Sequence, residues 1–144
     1  MNDYESKSHV RSFLSRSPIV ICFNVAGDSI IKPLLFSADL ILDSNRINDI
    51  SSLSGLTNLT DLAIDNNQIK DLSALSNLVN LRNVYLDRNQ ITDISPLMNN
   101  IGLGAGTTVY LRNNPLNDES KELHIPALEQ RGANIVWDSQ QSNQ

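Results

Sequence analysis

The stretch from Leu59 to Leu78, LTDLAIDNNQIKDLSALSNL, changes its apolar period midway. Leu59, Leu62 and Ile64 are followed, after a gap of five, by Ile69, Leu72, Leu75 and Leu78 at steps of three. Neither a helix nor a strand accounts for both halves. The pattern recurs every 22 residues: ADLILDSNRINDISSLSGLTNL (38–59), TDLAIDNNQIKDLSALSNLVNL (60–81) and RNVYLDRNQITDISPLMNNIGL (82–103) align without a gap. A fourth, partial copy over 104–116 contains TTVYLRNNPL after a three-residue expansion. A repeat of this length predicts a stack of short supersecondary units, each too small to bury its own apolar side.

Within one unit the change of period has a physical reading. Leu62-x-Ile64 is a short strand with two residues pointing inward. The chain then turns at an asparagine, and Asn45, Asn67, Asn89 and Asn114 fall in one column. A buried amide there can bond the backbone groups the turn leaves unpaired, so this column is read as a structural ladder. The apolar residues three apart suit a 3₁₀ or extended return segment. Asp49, Asp71 and Asp93, each opening a D-[IL]-S step, are read as caps for that segment.

These residues resemble the leucine-rich repeat family, in its 22-residue class typified by internalins and a regulatory subunit of protein phosphatase 1. The family pattern L-x-x-L-x-L-x-x-N-x-I-x-D-I-x-x-L is matched over 59–75 and 81–97, with Val84 and Leu72 as variants. NNIGLGAGTTVYLRNNPLNDESKELHIPALEQRGANIVW (99–137) resembles the closing unit of bacterial members. The resemblance implies an α/β, right-handed solenoid. Its short parallel sheet forms the concave face, 3₁₀ or extended segments the convex face, and a helix and strand close the C-terminal end. The division read from the sequence is 1–37 as a divergent N-terminal cap or leader, 38–116 as repeats, 117–137 as a C-terminal cap and 138–144 as a disordered tail. Ser37 stands where the first repeat would carry its leading leucine, so 1–37 is either a divergent cap or part of a chain whose cap lies elsewhere. In the C-terminal cap, Asn117 or Asp118 is expected to start the helix, Leu123 and Leu128 to pack inward, and Pro126 to limit or restart it. Ile135–Trp137 is expected as the last strand.

Charge narrows the partners. Net charge is −5, and residues 38–144 carry seven Lys/Arg against thirteen Asp/Glu. Phosphate recognition needs a basic surface, which argues against nucleic acid. No apolar run reaches the ~20 residues of a membrane span. The segment Pro18–Ala26 starts late for a signal sequence and is interrupted by Asn24, so the compartment stays open, leaning to the cytoplasm over a secreted or cell-surface location. Cys22 is the only cysteine and reads as a small buried residue.

Side chains between the inward residues are not dictated by packing. Ile41, Ala63, Tyr85 and Tyr110 form an apolar-to-aromatic stripe, and Asp43, Asp65 and Asp87 form an acidic column ending at Arg112. Like charges one strand apart repel by about 1 kcal/mol in water, which a basic partner would relieve. On this open-face reading Asp65→Ala is neutral or mildly stabilising. The carboxylates would suit a hard cation such as calcium, but side chains on a flat sheet converge poorly, so no metal or other cofactor is expected. No catalytic pattern appears. His9 and His124 lie 115 residues apart, GLGAG (102–106) leads into a strand rather than a helix, and the Asn58-Leu59-Thr60 sequon matters only in a secreted eukaryotic chain. The resulting expectation is a monomeric, non-catalytic module that binds a protein or peptide, basic in the favoured case, on the concave face. The alternative is a structural or surface-display segment of a larger exported bacterial protein.

Overall fold

The computed structural model describes residues 39–138, so the expectations for 1–37, including Cys22 and His9, and for 139–144 lie outside the described residues. Five three-residue strands form one parallel sheet in chain order: β1 (Asp39–Ile41), β2 (Asp61–Ala63), β3 (Asn83–Tyr85), β4 (Thr108–Tyr110) and β5 (Asn134–Val136). The register follows the repeat, with Leu40, Leu62, Val84, Val109 and Ile135 aligned across the strands. These residues are buried, whereas their strand neighbours on either side face outward, as period 2 requires. The return segments are 3₁₀ turns at Ser51–Gly55 and Ser73–Leu75, and a single α-turn, α1 (Ser95–Met98). Pro96 lies in the first turn of α1, where its missing N–H costs nothing. Ile69, Leu72, Leu75 and Leu78 are all fully buried, so both halves of the changing period feed one core.

Backbone pairing between repeats continues beyond the strands. Leu42, Ile64, Leu86 and Leu111 donate to the carbonyls of Ala63, Tyr85, Tyr110 and Val136 at 2.7–3.0 Å. The chain then turns through a left-handed residue, Ser44, Asn66, Arg88 or Asn113, with φ of 54–58°. Such a turn strands several backbone groups, and the asparagine that follows collects them. Asn67 donates through Nδ2 to the carbonyls of Leu42 and Ile64, both at 3.0 Å, and accepts the Ile47 N–H at 3.0 Å. Asn89 does the same with Ile64, Leu86 and Ile69, and Asn114 with Leu86, Leu111 and Ile91. Asn45 bonds the Leu42 and Asp43 carbonyls of its own turn. Asn67, Asn89 and Asn114 thus each tie their own turn to the preceding repeat.

The convex side is opened by the aspartates. Asp49, Asp71 and Asp93 accept the N–H groups of Ser51, Ser73 and Ser95 at 2.7–2.8 Å. They sit one position before the residue that precedes each turn, so they reach its first N–H from outside. The Ser73 hydroxyl and then its N–H hold the Asp71 carboxyl below the usual aspartate range; at Asp49 and Asp93 the backbone N–H acts first and the serine hydroxyl second.

At the C-terminal end, residues 118–130 run as one continuous helix. Asn117 starts it, accepting the Ser120 N–H at 2.8 Å. The helix is π-wound over Ser120–His124 and continues as α2 (Ile125–Gln130) through Pro126, which therefore neither ends nor restarts it. The wider π turn, closed by Ile125 N–H to Ser120 C=O, accommodates a proline that would clash in a regular α-helix. Leu128 is fully buried, but Leu123 is 61% exposed and Ile125 takes the inward place expected of it. Ser120, Ile125 and Leu128 are the buried residues of this helix, and Leu123 lies off the face they form. The last strand begins one residue earlier than expected, at Asn134, with Trp137 packed against the core edge.

Replacing Asn67 by alanine strands the Ile47 N–H and leaves the Leu42 and Ile64 carbonyls with only the Asn45 and Asn89 amides, respectively, of the donors described above. We expect a loss of about 1–3 kcal/mol, read as a lower urea midpoint with an unchanged slope. An unchanged midpoint would show that water satisfies the turn equally well.

Candidate functional site

Strand alternation and register place the outward residues of the sheet in columns. The central one runs Ile41, Ala63, Tyr85, Tyr110 and Val136, all partly exposed. Tyr85 and Tyr110 stack with ring centroids 4.7 Å apart and planes 7° from parallel. That separation matches the ~4.8 Å between neighbouring strands, so the rings stand upright and face each other along the sheet. One flanking column runs Asp39, Asp61, Asn83, Thr108 and Asn134. Asp61 is held in place there by Thr60 Oγ1 at 2.8 Å and Asn83 Nδ2 at 2.6 Å.

The column on the other side, Asp43, Asp65, Asp87 and Arg112, is not a row of freely solvated side chains. Asp43 accepts the backbone N–H of Asp65 at 3.1 Å, Asp65 that of Asp87 at 2.7 Å, and Asp87 that of Arg112 at 2.7 Å. Asp138 accepts from the Asn113 N–H at the last turn. These carboxylates form a second ladder beside the asparagines, each reaching one repeat forward to a backbone donor the parallel pairing leaves over. Sequence reading placed them on the open face and missed this bond, since alternation gives a side chain's direction but not its acceptor. The column still carries net negative charge, because accepting a neutral N–H does not discharge a carboxylate.

Burial has its clearest effect at Asp65. Loss of water pushes its carboxyl up to about 6, only partly opposed by the Asp87 N–H. The neighbouring Asp43 and Asp87 charges raise it further, and Arg88 lowers it. Burial also raises the Tyr85 hydroxyl, with Tyr110, Asp61 and Asp65 adding to the effect. Asp61 and Asp65 thus act on the same aromatic group from both sides.

Other candidates resolve as structure. A Cβ on Gly102 would lie 1.9 Å from the Val79 carbonyl oxygen, so the glycine of GLGAG is there for close backbone approach. His124 sits on the cap helix 4.0 Å from Asp93 and 3.9 Å from Glu119. Among the described residues no group of His, Cys, Asp and Glu could hold a metal ion, and no helix is long and apolar enough to cross a membrane.

Alanine at position 65 would remove both a half-buried charge and the acceptor of a backbone N–H, two effects of opposite sign. The neutral outcome expected from an open-face residue therefore has no simple basis. Asp65→Asn keeps an acceptor and removes the charge. Because the folded carboxyl titrates near 6 against an ordinary 3.8, its ionisation destabilises the fold as pH rises through 6. Asp65→Asn should be more stable than the wild type at pH 7, and the advantage should shrink as pH falls towards 4. A deficit independent of pH in urea titrations would contradict this.

The leucine-rich repeat family model, in its two-copy form, matches residues 39–77 and 61–99. Among solved structures, an internalin (inlF) of Listeria monocytogenes is 33% identical. The match covers 69% of this chain and 27% of that one, with a TM-score of 0.58. Internalin C2 of the same organism is 37% identical over 68% of this chain and 40% of that one, with a TM-score of 0.55. The chain thus spans well under half the length of either. No curated protein matches it. Leucine-rich repeats generally mediate protein–protein interaction, and internalin-type repeats are typically non-enzymatic. The repeat interval, the single parallel sheet and these neighbours together make the chain an internalin-like leucine-rich repeat protein.

Proposed function

We propose that this protein is a non-catalytic binding module that engages a protein partner on its concave face. The observation that carries this reading is the Tyr85–Tyr110 stack, partly exposed at the centre of that face. Core packing does not require aromatic residues at these outward positions. Paired tyrosines present a large, rigid contact area at low entropic cost, the property that makes aromatics the anchors of interfaces. Ile41, Ala63 and Val136 extend the apolar strip on both sides.

Size limits the kind of partner. Five strands at ~4.8 Å spacing and three residues at ~3.3 Å rise outline roughly 200 Å². A stable interface between globular proteins buries about 800 Å² on each side. The strands therefore hold a peptide-like segment or a transient partner, or act together with the flanking turns.

The test is capture of the partner by immobilised wild-type protein against the Tyr85→Ala/Tyr110→Ala double variant, with folding of both verified by circular dichroism. Loss of at least about tenfold in affinity is expected for two central anchors. A partner held equally by both proteins would place the binding surface elsewhere.

A further inference from the structure

The concave face is interrupted at one place. Ala63 lies in register between Ile41 on β1 and Tyr85 on β3, so a methyl group stands between two large side chains. Tyr110 covers one face of the Tyr85 ring. With β2 on the opposite side of β3 from β4, the other face of that ring looks out over Ala63. Two strand spacings, about 9.6 Å, separate Ile41 from Tyr85, which leaves room for one flat layer between them. At the two ends of this slot stand the residues two before and two after Ala63, Asp61 on β2 and Asp65 just beyond its end.

Both carboxylates are fixed from behind: Asp61 by Thr60 and Asn83, Asp65 by the Asp87 N–H. The described ion pairs all involve the cap helix, so among the described residues neither Asp61 nor Asp65 meets a cation within bonding distance. Burial raises the Tyr85 hydroxyl, and the nearby Asp61 and Asp65 charges add to that effect.

We propose that the slot over Ala63 receives the guanidinium of one arginine from an extended peptide segment, stacked on the open face of Tyr85 with its ends turned to Asp61 and Asp65. The guanidinium would occupy the place of a third ring in the Tyr110–Tyr85 stack. A planar, delocalised cation suits this geometry: it stacks on an aromatic face, donates hydrogen bonds at its edges, and sheds water more readily than an ammonium. Lysine carries the charge without the flat layer and should bind less well. This inference rests on the concave-face reading and adds to it the chemistry of the anchoring side chain.

The probe is the peptide acetyl-Gly-Gly-Arg-Gly-Gly-amide, titrated against the protein and followed by NMR at the Ala63 methyl and the Tyr85 ring. The expected result is saturable shifts at both groups and none with the citrulline peptide, which keeps the shape and loses the charge. Ala63→Leu fills the slot without touching the tyrosines or the charges, on a side chain that faces outward, and should weaken binding about tenfold or more, the scale of a desolvated cation–aromatic contact. Equal binding by wild type and Ala63→Leu, or by arginine and citrulline peptides, or no binding at all, would overturn the proposal. If that happens while Tyr85→Ala/Tyr110→Ala still loses its protein partner, the concave-face reading stands and only the arginine slot falls. If the double variant keeps its partner as well, both fall.

Discussion

A three-residue strand followed by a left-handed turn leaves more backbone groups unpaired than a solenoid of this width can leave to water. The amide of the turn asparagine resolves that conflict, and the rest of the structure depends on it. Asn67 reaches carbonyls of two successive repeats and an N–H of the earlier one. A residue with one donor or one acceptor could not do this; an amide with both can. Since Asn89 and Asn114 repeat the arrangement, the interval of 22 residues is a bonding interval as much as a packing one.

The aspartate column completes the bond accounting on the concave side. Asp43, Asp65 and Asp87 each satisfy a backbone N–H one repeat on, while their charges remain directed at the same face as the tyrosines. One side chain thus serves the fold and shapes the surface potential. Tyr85, Tyr110 and Ala63 carry no such structural duty. That division leaves the proposed binding face a central column that can vary without cost to the turn ladders, beside a column whose acidity is tied to stability.

The fold was legible because its determinants are periodic. The isoleucine and leucine steps, the asparagine column and the D-[IL]-S openings each recur at fixed offsets, the first from the need to fill the core and the other two from unpaired backbone groups. Non-periodic or side-chain-level features were not. The left-handed column reads Ser44, Asn66, Arg88 and Asn113, and serine and arginine conceal a conformation that asparagine alone would suggest. Leu123, expected to pack inward with Leu128, faces out, and the π turn over Ser120–His124 that precedes Pro126 leaves no periodic mark in the sequence. The candidate site was legible as columns of residue types. The slot at Ala63 was not, because an alanine between Ile41 and Tyr85 reads as a gap only once the Tyr85–Tyr110 stack shows which ring face is left open.

The central claim is that side-chain ladders at the turns hold the repeats together, independently of what the concave face carries. Hydrogen exchange at the Ile47, Ile69 and Ile91 amides tests it most directly, since these N–H groups have side-chain acceptors rather than strand partners. Native-state exchange should give them opening free energies equal to those of the core strand amides, and unchanged in Tyr85→Ala/Tyr110→Ala. Exchange at the rate of exposed loops, or loss of their protection when the tyrosines are removed, would contradict the account.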